Sequence, residues 1–225
     1  MTKKEKSAFT LAEVLITLGV IGVVAALTMP ALMQHNKKVE TTARLKKFYS
    51  MMSQAIMMSE LDHGDSLTWN KAQADLKDDE GNTDYEGQAN ASWEYWSTYL
   101  APYIKYNKAE KGVYDSENPD KYFETKVYFA DGSTMTMHNG SAIDLYFDVN
   151  GDTKPNALGR DIFDFIINTS SAPAVLLGNK KIGGLYQAIW NRSTALSYCK
   201  TIPGYCTTLL IFDNFEFKDD YPYKL

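Results

Sequence analysis

Residues 9–33 read FTLAEVLITLGVIGVVAALTMPALM, apolar or small throughout apart from threonines and a single charge, Glu13. About 20 such residues span a bilayer core as a helix. Past Met33 the composition turns polar, and apolar positions recur at Leu45, Phe48, Met52 and Ile56, with Tyr49 and Ala55 beside them. That is helical spacing with one apolar face. The pattern predicts one unbroken helix from near Phe9 to about Leu61, with a transmembrane half at 9–33 and an amphipathic half at 34–61. Met51, Met52, Met57 and Met58 read as adaptable packing.

Residues 62–225 read as a globular body outside the membrane. The stretch from His63 to Asn90 is polar and charge-rich, which suits a short helix followed by a loop. Trp93, Trp96, Leu100 and Tyr103 then recur at helical intervals, and Pro102 marks a bend or end. After Pro119 the period falls to two. KYFETKVYFA, STMTMH and AIDLYFDV, joined by Asp131-Gly132 and Asn139-Gly140, read as hairpin-linked strands. TTLLIF near the C-terminus is expected as the last strand, with an aromatic tail behind it. A long helix laid on an antiparallel sheet is an α+β solution that buries both apolar faces.

Composition sharpens this picture only a little. Fifteen Tyr and ten Phe against three His favour an aromatic-rich, sheet-containing body over a centre built on imidazole. His35, His63 and His138 sit in no recognisable catalytic arrangement, and neither G-x-S-x-G nor H-E-x-x-H occurs, so no enzyme activity is expected. The formal charge is −5, and without Lys3, Lys4, Glu5 and Lys6 it becomes −7. That balance argues against an extended nucleic-acid-binding surface, which needs clustered Lys and Arg.

Lys3, Lys4 and Lys6 before the apolar run should hold the N-terminus in the cytoplasm. A cleaved signal peptide or an unprocessed signal anchor is the plain alternative. The run exceeds the usual ~7–15 residue h-region, however, and carries a carboxylate. A carboxylate in a membrane segment costs about 2.5–3.5 kcal/mol near the centre and points to function.

The words around it, Ala8-Phe9-Thr10-Leu11-Ala12-Glu13-Val14-Leu15-Ile16, resemble the processing site of type IV prepilins and type II secretion pseudopilins. The resemblance implies cleavage between Ala8 and Phe9 by a prepilin peptidase, which removes residues 1–8 as a leader and methylates the new Phe9 amine. It also implies that Glu13 of one subunit answers the amine of a neighbour during assembly. Ala8 stands where that family usually has Gly. Pro30 matches a proline often found in the family's helix and favours a kink or local melting. Gly19, Gly22 and Ala26 are small enough for close helix approach. The implied partners are other pilin or pseudopilin subunits, the prepilin peptidase and an inner-membrane assembly platform. The implied location is the bacterial inner membrane, single-pass, with the body periplasmic or extracellular.

Asp148, Asn150 and Asp152 place three oxygen-bearing side chains at alternate positions, and Asp161 follows. Two readings stand: a calcium site, since hard cations take several oxygens, or turns capped by Asp and Asn side chains. The Gly comes too early for an EF-hand, and no Glu sits at its twelfth position. DVNGDTKPNALGRDIFDF resembles a segment of pseudopilin-like proteins, some relatives of which hold calcium in a nearby loop. Cys199 and Cys206 flank Pro203-Gly204 and are expected to form a disulfide in an outward-facing body. A cysteine-closed loop near the C-terminus is also frequent in pilins. Two functions are carried forward, a filament subunit and a membrane-anchored ligand-binding protein that forms no filament.

Overall fold

The computed structural model describes residues 10–71, 76–114, 116–118, 122–140, 142–167, 181–184 and 191–225. The first helix, α1, runs unbroken over Leu11–His63. The chain divides between Glu40 and Thr41 into an N-terminal unit and a body.

In the N-terminal unit, α1 is long and apolar enough to cross a membrane, and its side chains are exposed, among them Leu11, Leu15, Ile16, Leu18, Ile21 and Leu27. Pro30 lies inside the helix, which continues through it. The missing N–H costs one backbone bond, and of the kink or local melting that Pro30 favours, the unbroken helix shows no melting.

Within the body, α1 buries Thr41, Leu45, Phe48, Met52, Ala55, Ile56 and Ser59, three or four residues apart along one face. That stripe lies on a six-stranded antiparallel sheet whose order is the chain order: β1 Lys108–Lys111, β2 Thr125–Tyr128, β3 Thr134–Asn139, β4 Ile143–Asp148, β5 Ile162–Ile167 and β6 Ile182–Gly184. Each strand pairs with its sequence neighbour, so short connections suffice. The register places Met135 opposite Phe147 and Leu145 opposite Phe165, all buried in the core with Phe48. The fold is α+β, a long N-terminal helix on an antiparallel sheet.

Between helix and sheet comes α2, Tyr85–Tyr95, capped by Asp84, whose carboxylate accepts from the Gly87 N–H at 2.7 Å. It passes into a π turn at Trp96–Leu100 and a 3-10 turn at Ala101–Tyr103, where Pro102 ends the helical run. Between α1 and α2, the helical element among the described residues is a 3-10 turn at Ser66–Thr68.

The C-terminus departs from expectation. TTLLIF lies in α4, Cys206–Phe212, and not in a strand. A short run that is apolar on both sides has no period to separate strand from helix. Here α3, Arg192–Thr201, and α4 are stapled by Cys199–Cys206, which leaves only a 3-10 turn between them. Leu209 joins the cysteines in a small second core, while Leu210 enters the main one.

Candidate functional site

The N-terminal end of α1 carries the residues singled out in the sequence, of which Ala8 and Phe9 lie outside the described residues. Thr10 and Glu13 form a reciprocal cap. The Thr10 N–H and hydroxyl both donate to Glu13 Oε2 at 2.8 Å, and the Glu13 N–H donates to Thr10 Oγ1 at 3.3 Å. An Oγ at the cap and a carboxylate three residues on satisfy donors that a helix start leaves open. The spacing Thr10-x-x-Glu13 carried this signal in the sequence and went unread there.

This cap fixes the carboxylate within the first turn. Among the described residues only Oε2 is used, which leaves Oε1 to accept from another group. Further along the helix, a Cβ added at Gly19 or Gly22 would meet nothing within 4 Å, so close helix approach is unobstructed there.

The second candidate, the loop from β4 to β5, is brought together only in part. Asp148 Oδ1 accepts from the Asn150 N–H at 3.0 Å. Asp161 spends both oxygens on backbone, accepting from Asn156 N–H at 2.9 Å and Ala157 N–H at 2.7 Å. Asp152 turns outward to Lys126 at 2.8 Å. Asn150 Oδ1 is buried without a hydrogen bond among the described residues. Burial pushes the Asp148 carboxyl up to about 6, opposed by the Asn150 N–H and reinforced by the charges of Asp161 and Asp152.

Gly151 supports the tight turn with φ +65°, and a Cβ there would stand 2.7 Å from the Gly132 oxygen. Among the described residues no group of three or more His, Cys, Asp or Glu is arranged to hold a metal ion. Each oxygen of Asp161 thus accepts one backbone N–H. The hydrogen bonding therefore fits capped turns.

The cysteines form the expected bridge, with S–S 2.00 Å and both residues fully buried. Of the histidines described in the body, His63 stands edge-on to Tyr99, and His138 Nδ1 lies 2.7 Å from Glu124 Oε1.

A family model described as a family of unknown function, DUF6613, matches residues 31–225. The chain belongs to that family. The DUF6613 match takes in the whole body and the second part of α1, and it leaves out Thr10 and Glu13. No curated protein and no solved structure matches the chain.

Proposed function

We propose that this DUF6613 chain is a structural subunit of a type IV pilus or type II secretion pseudopilus, processed by a prepilin peptidase and assembled through its N-terminal helix. The observation that carries this reading is the Ala8-Phe9-Thr10-Leu11-Ala12-Glu13 signature at the head of a helix long and apolar enough to span a membrane. Cleavage between Ala8 and Phe9 frees an amine that is methylated. In a bundle of such helices the amine of one copy and the Glu13 carboxylate of another neutralise each other, where either charge alone would be strongly penalised. The Thr10 cap supports this role, because it holds the carboxylate in place while leaving one oxygen open.

Other features agree. The lysines of the leader keep the N-terminus cytoplasmic, which puts the body on the far side of the inner membrane. A buried disulfide suits that oxidising compartment. The amphipathic face of α1 on an antiparallel sheet is the architecture the resemblance implies. Partners are further subunits and the inner-membrane assembly platform.

Replacing Glu13 tests the reading. Glu13→Ala is expected to remain in the membrane fraction at wild-type amounts while the filament fraction recovered by shearing and pelleting falls at least about a hundredfold, the scale of the about 3–5 kcal/mol lost when one partner of a buried pair is removed. Wild-type filament yield from Glu13→Ala would contradict it and favour a tethered body that forms no fibre.

A further inference from the structure

Two complementary surfaces lie at opposite ends of the edge strand β1. At its finishing end, Val113 is 82% exposed although its neighbours are fixed. The Gly112 N–H donates to the Glu124 oxygen at 2.7 Å, and a Cβ on Gly112 would collide with the Phe123 oxygen, so only glycine permits this approach. On the other side, Tyr114 stacks on Tyr85 at 3.8 Å with the rings 2° from parallel, and Tyr122 meets both edge-on. Val113 is thus an apolar knob held rigidly in solvent. Around it Asp78, Asp84, Glu86 and Lys111 line a cleft of about 610 Å³, with Lys111 donating to Asn90 Oδ1 at 2.8 Å. Asp78 and Asp84 are engaged in local backbone bonds, while Glu86 is exposed and makes no ion pair among the described residues.

Just before β1 begins lies a hollow of about 190 Å³ with an apolar floor of Phe48, Met51 and Phe129 and a rim of Arg44, Lys47, Lys105 and Asp131. Arg44 is tied to the Asp131 and Val149 carbonyls, and Lys47 to Asp131 at 2.7 Å. Lys105 is exposed and makes no ion pair among the described residues. β1 alone separates knob and hollow by roughly 13 Å at about 3.3 Å per residue. The knob therefore cannot fill the hollow of its own chain.

We propose that Val113 of one copy seats in the Phe48, Met51 and Phe129 hollow of the next, with Glu86 facing Lys105. Both the apolar and the charged features match, and the two patches are different, so the contact is head-to-tail and propagates wherever the rotation per copy does not close a ring. A preformed pocket that accepts an exposed apolar side chain from elsewhere on the same molecule generates an open, repeating assembly. Preorganisation of both sides limits the ordering cost of the contact. The inference rests on the assembly reading and gives it a second interface, between bodies.

Cysteine pairs in the full chain test it. On mild oxidation, Val113→Cys with Met51→Cys is expected to give a ladder of three or more linked copies on a non-reducing gel, while either single substitution gives monomer. Val113→Cys with Lys105→Cys places the second thiol on the exposed rim and serves as a pair that leaves the hollow's floor intact. Glu86→Lys should weaken the ladder up to about fivefold, the scale of an exposed ion pair, and Lys105→Glu added to it should restore it.

Filaments that pellet normally from both double variants without a ladder would overturn the contact and leave assembly through α1 standing. Dimers from Val113→Cys alone would overturn it in favour of a symmetric contact. Absence of filaments in the wild type, together with an intact Met1 end, would overturn both.

Discussion

The ring of Phe48 on α1 lies flat against Phe147 on β4, with centroids 4.1 Å apart and planes 14° from parallel, and Phe165 of β5 stands 5.1 Å away. Helix and sheet meet at this stack, where Phe48 and Phe147 are both buried. Phe48→Ala is expected to cost about 3–5 kcal/mol, the usual loss for a buried aromatic truncated in a core. Urea unfolding of the full chain in mild detergent would show it as a lower midpoint with an unchanged slope.

Stability should fall as pH rises from about 4 to 8. On the face of the sheet away from Phe147, Asp164 is buried, and its Oδ1 makes no hydrogen bond among the described residues. Burial pushes its carboxyl up to about 8, and the charge of Asp144 adds to this. Asp144 is itself pushed up to about 6, mainly by burial. The ordinary value is 3.8, so between these values the folded state holds protons that the unfolded chain has released. This contribution is complete below about 3.8 and is lost through the folded-state values. Thermal melts should show Asp164→Asn raising the midpoint more at pH 8 than at pH 5, and flattening the decline between them.

The disulfide closes a short loop, Cys199 to Cys206, seven residues apart. Restricting that loop in the unfolded chain contributes about 2.5 kcal/mol in the chain-entropy model. Replacing both cysteines by serine should lower the melting temperature by roughly 5–10 °C for a body of this size. Wild-type protein melted after full reduction should match the double variant.

Asp161 offers a direct test of the β4–β5 loop. Its two oxygens accept from Asn156 and Ala157, charge-assisted bonds that together stabilise the turn. Asp161→Ala is expected to cost about 1.5–3 kcal/mol, and the same amount with calcium or with a chelator present. A loss confined to calcium-containing buffer would instead make the loop an ion site.

Helix α1 and the hairpins β2 to β4 were legible in the sequence because their patterns are long or strictly alternating. Leu45, Phe48, Met52 and Ile56 keep helical spacing, and Ile143, Leu145 and Phe147 alternate with polar residues. β5 carried no such signal, because Phe163, Asp164, Phe165, Ile166 and Ile167 are all buried and both of its faces are covered. TTLLIF failed for a related reason, since Thr207, Thr208, Leu209 and Leu210 are buried together on a helix that the disulfide positions. At the site, residue types and spacing exposed Glu13. The Val113 knob and its hollow were invisible, because they depend on a ring stack and a backbone approach between residues distant in sequence.

The account turns on whether a new amine is made beside Glu13. Intact-mass and N-terminal fragment spectra of protein from its native membrane measure this directly. The expected product begins at Phe9 and carries one added methyl group on its amine. A mature chain that still begins at Met1, with Lys3, Lys4 and Lys6 in place, would contradict the account.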